Sequence, residues 1–188
     1  MIVTLLIILG VLLILVLWAV GKYNLFVKLR NNRENAFADI DVQLKQRHDL
    51  IPQLVTTVKG YAAHEKETLE MVVNARNGAI NAKSIDEKIV AESALTSALA
   101  GLKVTVEAYP DLKANRNFLQ LQEEISDIEN KLAAVRRYFN SATKELNTAI
   151  EMFPANIIAN MFGFRKEMMF DLGATERKNL EKAPEFSF

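Results

Sequence analysis

Hydrophobic positions along the chain fall into three kinds of run. The first has almost no polar interruption. Ile2 to Val20 consists of Val, Leu, Ile, Trp and Ala, broken by Thr4 and Gly10 alone. A helix rising 1.5 Å per residue would cover roughly 28 Å over this stretch, close to the hydrocarbon thickness of a bilayer. Trp18 and Tyr23 lie at one end, where amphipathic rings favour the membrane–water boundary. The pattern predicts a transmembrane anchor over residues 1–21. A cleaved signal peptide is the competing reading, but no Lys or Arg precedes the run, and the run is longer than the usual apolar core of such peptides.

The second kind of run is periodic. Phe118, Leu121, Ile125, Ile128, Leu132, Val135, Phe139, Ala142, Leu146 and Ala149 alternate spacings of three and four, a heptad seam of coiled-coil character. It predicts one helix from about 117 to 152, stopped by Pro154. A second stripe, Leu25, Leu29, Ala36, Ile40, Leu44, Ile51, Leu54, Val55, Val58 and Ala62, begins at the anchor, with Gly21 the one small break. Anchor and first domain helix therefore read as nearly continuous. Pro52 lies inside the stripe and cannot donate to the carbonyl of His48, so a helix kink is expected at Pro52, a bend rather than a break.

Shorter helical stretches lie between these. One covers about 65–79, with Leu69, Val72, Val73 and Arg76 in phase. After Asn81-Ala82-Lys83-Ser84, the run Ser84-Ile85-Asp86-Glu87 has the form of a capping box. The helix that follows carries Ile89, Leu95, Leu99, Leu102 and Val106 and ends before Tyr109-Pro110. No alternation of period two persists, so no strands are expected. The expected fold is all-α: an N-terminal transmembrane helix continuing into an elongated antiparallel four-helix up-and-down bundle. Three parts are expected: the anchor at 1–21, the bundle at 22–170 and an extended tail at 171–188. The last turn of this topology depends on the chain reversing at Ser84.

The third run is dense but short. Between Pro154 and Phe170 stand Ile157, Ile158, Met161, Phe162, Phe164, Met168, Met169 and Phe170, with Arg165 and Lys166 among them. These groups either cap the bundle, dock on the membrane interface with help from the basic pair, or form a Met-rich partner surface. The candidate membrane or partner contacts are Trp18, Tyr23, Met161, Phe162, Phe164, Met168, Met169 and Phe170.

Charge and composition then narrow the function. The 188 residues carry 23 basic and 23 acidic side chains, two histidines and no cysteine. The balance argues against a nucleic-acid partner, which calls for a basic surplus. Disulfides, cysteine nucleophiles and thiolate zinc sites are excluded. Lys22, Lys28, Arg30 and Arg33 all precede the first acid, Glu34. By the positive-inside rule the N-terminus is expected outside and the domain in the cytoplasm.

Candidate chemistry is sparse. His64-Glu65-Lys66-Glu67-Thr68 starts like a zinc-protease motif and fails at Thr68. Lys45 and Tyr61 stand three residues before the histidines, where a di-iron bundle needs glutamates. His64 reads as a polar residue at a helix boundary. His48, in Arg47-His48-Asp49, is either a hydrogen-bonding residue at the bundle edge or a pH-sensitive group beside an acid. Glu123, Glu124, Asp127 and Glu129, followed by Lys131, Arg136 and Arg137, read as a solvated face. Asn115, Asn117, Asn130, Asn140 and Asn147 offer interhelical hydrogen bonds or surface polarity. No catalytic, cofactor or metal site is expected, and no enzyme.

Several of these residues form a pattern that resembles the LemA family of bacterial membrane proteins. It includes Tyr23-Asn24 and the run from Asp39 through Gln43-Leu44-Lys45-Gln46-Arg47-His48-Asp49-Leu50-Ile51 to Pro52. It continues through Val58-Lys59-Gly60-Tyr61, His64-Glu65, Tyr109-Pro110, Leu112-Lys113-Ala114-Asn115, Leu119-Gln120 and Glu129-Asn130. Arg137-Tyr138-Phe139-Asn140, Phe153-Pro154 and Phe162-Gly163-Phe164 complete it. Phe37 stands where tryptophan is frequent and Phe139 where tyrosine is expected. The resemblance implies a transmembrane helix followed by a four-helix bundle, placed in the inner membrane with the N-terminus outside. It implies no established enzymatic activity. Some members of the family resemble a protein of magnetosome-membrane formation, and some are encoded beside a membrane zinc metalloprotease.

These readings converge on a non-enzymatic single-pass membrane scaffold that self-associates through its helices and organises or remodels the membrane. The expected partners are the lipid bilayer and further copies of the chain. The alternative is a regulatory adaptor for a membrane protease or signalling protein.

Overall fold

The computed structural model describes residues 1–170, and the extended tail expected at 171–188 lies outside the described residues. Among the described residues six helices follow one another: α1 (Ile2–Tyr61), α2 (Lys66–Asn81), α3 (Ile85–Val106), α4 (Pro110–Lys113), α5 (Arg116–Glu151) and α6 (Ala155–Met161). Among the described residues there is no strand. The all-helical class is as expected.

Anchor and first domain helix are one element. α1 runs on through Gly21 and through Pro52 without a break. Pro52 leaves the carbonyl of His48 without its helical donor, and Arg76 of α2 supplies a replacement, its Nε donating to that oxygen at 2.7 Å. This is why a proline can sit within the helix: the orphaned acceptor becomes a tie to the next helix.

Local signals set the other boundaries. Ser84 Oγ accepts from the Glu87 amide at 3.2 Å, and Glu87 Oε2 accepts from the amides of Lys83 and Ser84 at 2.8 and 3.4 Å. The capping box read from the sequence is thus complete. The Lys83 and Ser84 amides hold the Glu87 carboxyl below its ordinary value. α2 and α3 pack against each other across this three-residue connection, so the chain reverses at Ser84 as a helical hairpin. Asn115 Oδ1 accepts from the Phe118 amide at 3.0 Å and caps α5. α5 ends at Glu151, just before Pro154, which leads into α6.

The chain divides into two compact units. The first comprises Met1–Ala36 and Tyr138–Met169, and the second Phe37–Arg137 with Phe170. Each has a buried cluster of its own. In the second unit Ile51, Leu54 and Val58 of α1 share a core with Leu69, Val72 and Ala79 of α2 and Leu95, Leu102 and Val106 of α3. Leu112 of the one-turn α4 and Phe118 of α5 close the same core, both fully or nearly fully buried. In the first unit Phe26 and Leu29 of α1 pack with Leu146 and Ile150 of α5, Ala155, Ile158 and Ala159 of α6, and Phe164. Trp18 and Ala19 lean on this cluster, whereas every side chain from Ile2 to Leu17 is exposed.

Length and apolar composition would allow α3 as well as α1 to cross a membrane. The burial of α3 argues otherwise, because Ile89, Leu95, Leu102 and Val106 lie in the interior and Glu92 is buried with them. α3 is a core helix, and the bare apolar stretch belongs to α1.

Candidate functional site

The seam of α1 contains two charged residues. Counting from Phe26, the buried positions run Leu29, Arg33, Ala36, Ile40, Leu44, Arg47, Ile51, Leu54 and Val58, spaced by three or four throughout. Arg33 and Arg47 therefore occupy core positions, two heptads apart. Each builds a polar cluster, one in each unit.

Around Arg47 in the second unit, three helices contribute. Arg47 is fully buried, and its Nη2 donates to Glu92 Oε2 of α3 in a very short contact. Its Nη1 donates to Glu129 Oε1 of α5 at 2.5 Å and to Thr96 Oγ1 at 3.4 Å. His48 Nε2 lies 2.7 Å from Glu92 Oε1, and because a carboxylate can only accept, the ring carries its proton on Nε2. His48 is buried too, with Glu92 of α3 as its acidic partner. The sequence neighbour Asp49 pairs instead with Lys45 at 3.3 Å.

Burial alone would raise the Glu92 carboxyl, but hydrogen bonds from His48 and Arg47 and their positive charges outweigh it, and the group is held below its ordinary value. A carboxyl held ionised, with both oxygens occupied, is a poor proton donor and a weak base. The cluster fixes helices against one another. Glu129, read from the sequence as part of a solvated face, is half-buried and belongs to this cluster. On the rim, Lys88 of α3 reaches both oxygens of Asp41 at 2.6 and 2.8 Å and lies over the Phe37 ring. His64 stands in the turn between α1 and α2, at the helix boundary expected.

Around Arg33 in the first unit, the chain after α6 is held as an extended strap. Gly163 takes a φ of 75°, which favours glycine, and turns the chain out of α6. Asn147 then grips the backbone of Glu167 twice: its Nδ2 donates to the carbonyl at 2.9 Å and its Oδ1 accepts from the amide at 2.8 Å. Arg33 pairs with the Glu167 carboxylate at 3.2 Å, donates to the Met168 carbonyl at 3.2 Å and lies over the Phe139 ring. Among the asparagines singled out above, Asn147 and Asn115 thus make defined contacts, the latter also donating to Tyr61 Oη at 2.8 Å.

The candidate contact residues divide by burial. Trp18 is half-buried on the first unit's core. Tyr23 is partly exposed, its ring 4.9 Å from that of Phe162 and 5.8 Å from that of Phe164. Met161, Phe162, Met168 and Met169 are exposed. Phe164 and Phe170 are interior residues: Phe164 packs on Phe26 under Arg30, and Phe170 stacks on Phe37 with Arg136 over its ring. Their large apolar rings are covered by the chain itself, which leaves the exposed members as surface candidates. Among the described residues, no group of three or more acidic or histidine side chains is arranged to hold a metal ion.

The sequence model of the LemA family matches residues 36–188, most of the chain. The chain belongs to the LemA family. Among its relatives, Protein LemA of Metamycoplasma hominis is 28% identical over 164 residues, spanning 86% of this chain and 74% of the relative. Magnetosome protein MamQ of Magnetospirillum gryphiswaldense is 22% identical over 175 residues, 79% of this chain and 64% of the relative. Magnetosome protein MamQ 1 of Paramagnetospirillum magneticum is 21% identical over the same shares. This LemA-family chain spans just under two thirds of the MamQ proteins it matches.

Membership gives the motifs a physical reading. In the long block of the LemA resemblance, Ile40, Leu44 and Ile51 fill the core, Arg47 and His48 bind Glu92, and Pro52 frees the carbonyl taken by Arg76. Tyr61 and Asn115 are hydrogen-bonded, as are Tyr109 and Glu65 at 2.9 Å. The bond to Glu65 raises the Tyr109 hydroxyl above its ordinary value. Each is a structural tie between helix ends.

Proposed function

We propose that this LemA-family protein is a non-enzymatic, single-pass membrane scaffold whose helices associate with further copies of the chain. One observation carries the reading: the exposed apolar stretch and the packed domain are parts of a single unbroken helix, α1. An exposed run of this length and composition suits a bilayer, and helical continuity ties the domain to it. The basic residues Lys22, Lys28, Arg30 and Arg33 support an orientation with the N-terminus outside and the domain in the cytoplasm, at the inner membrane. The shared core of α1, α2, α3 and α5 supports an antiparallel four-helix bundle within the second unit.

Self-association is supported by confinement, since anchors in one bilayer meet at high effective concentration. It is also supported by an open apolar groove in the second unit, lined by Leu54, Leu99, Leu102, Phe118 and Ile125, which a helix of a second copy would fill. The likeness to magnetosome proteins over 79% of this chain supports a role in organising membrane. Electron microscopy of the full chain reconstituted in membranes tests this. Rings, arrays or clusters are expected, and uniformly isolated particles would contradict the scaffold. A C-terminal reporter that is active only outside the cytoplasm should stay silent.

A further inference from the structure

The surface of α6 is more apolar than its burial requires. Ile157 and Met161, one turn apart, are 58% and 65% exposed, and Phe162 follows at 55%. The opposite face, Ala155, Ile158 and Ala159, is buried. Met152 and Phe153, just before α6, are exposed as well. Singly exposed apolar residues are ordinary, but a contiguous set on one short helix is not.

Contacts within the first unit fix the depth of this patch. The Phe162 ring lies 4.9 Å from Tyr23, and Ile158, Ala159 and Phe164 share their cluster with Trp18, Ala19 and Phe26. Trp18 and Tyr23 mark the membrane–water boundary of an apolar run that starts at Ile2. α6 is therefore held against the end of the span, at the level of the lipid headgroups. Charge in the same unit agrees. Lys22, Lys28, Arg30, Arg33, Lys144, Arg165 and Lys166 stand against Glu34, Glu145, Glu151 and Glu167, a basic excess suited to anionic headgroups.

We propose that α6 is a second membrane contact, lying in the interface with Ile157, Met161 and Phe162 seated at the headgroup–acyl boundary beside the chain's own span. The chain then meets the bilayer at two points, a spanning helix and an interfacial one, and the pair restrains the tilt of the span. The proposal rests on α1 crossing the bilayer.

The chain has no cysteine, so single labels can be placed without background. Ile157→Cys and Met161→Cys, each carrying an environment-sensitive fluorophore, are reconstituted as full chain in vesicles of phosphatidylcholine and phosphatidylglycerol. Leu12→Cys reports the span, and Glu124→Cys reports the solvated face of α5. Emission from positions 157 and 161 should shift to the blue and be quenched by a headgroup-level nitroxide lipid, while position 124 should be quenched from water. If position 12 is quenched by lipid but 157 and 161 behave like 124, the interfacial contact is refuted and the anchor stands. If position 12 is not quenched by lipid, the spanning reading fails and takes the proposal with it. Shielding at 157 and 161 that vanishes when the protein is diluted in lipid would show a second copy covering α6 and would also overturn it.

Discussion

Arg47 and Glu92 are buried together on facing helices, so removing either charge strands the other. Arg47→Met leaves the Glu92 carboxylate in the interior with His48 as its remaining hydrogen-bond donor, and should destabilise the second unit by about 3–5 kcal/mol. The joint change Arg47→Met, Glu92→Leu should recover most of that loss, because apolar groups of similar volume replace a desolvated pair. Denaturant melts of the full chain in nanodiscs compare the two. Equal losses in the single and joint variants would contradict this account.

The same cluster sets a dependence on pH. Glu92 faces Arg47 and His48 of α1 directly, while Glu129 of α5 reaches Arg47 and Arg76 of α2 holds the His48 carbonyl. Its carboxyl is lowered from an ordinary value of 4.5, so the folded state binds that proton less tightly than the unfolded chain does. The stabilisation is complete above the unfolded value and is lost as pH falls through the lower folded one. Melts taken downward from pH 5 should show a steep acid limb in the native chain and a shallower one in Glu92→Gln. This cluster was nearly legible in the pattern. The stripe skips from Leu29 to Ala36 and from Leu44 to Ile51, and the α3 stripe skips from Ile89 to Leu95. Arg33, Arg47 and Glu92 occupy those gaps. What the pattern lacks is the partner, because a charge at a seam position counts as buried only once an opposite charge faces it.

At the scale of the elements, local chemistry was the readable part. Seam periodicity, the Ser84 box and Pro154 mark helix positions within a residue or two, because each acts through neighbours in sequence. Ser84→Ala should cost about 1 kcal/mol, read in the same melts, by removing one half of the box. Phase was less secure: Leu25 is exposed while its neighbour Phe26 is fully buried, since both are apolar and the packing partner decides. The strap from 163 to 170 was legible as apolar composition alone. Its conformation depends on Asn147, far away in sequence, gripping one peptide unit at Glu167. Asn147→Ala should free both backbone groups and speed hydrogen exchange at the Glu167 amide by tenfold or more, about 1–3 kcal/mol of lost local stability. Unchanged protection there would mean that Arg33 alone holds the strap.

At the scale of the whole molecule, an exposed apolar helix and membership of the LemA family support the proposed membrane role. The charged clusters of this LemA-family chain lock helices and hold a strap. The proposed role is to place packed helices at a membrane and bring copies together. Association therefore carries the functional claim, and the mass of the full chain extracted in mild detergent or captured in nanodiscs tests it most directly. The account predicts discrete species heavier than one 21.2 kDa chain plus its amphiphile, persisting on dilution. A monodisperse monomer at every concentration would contradict it.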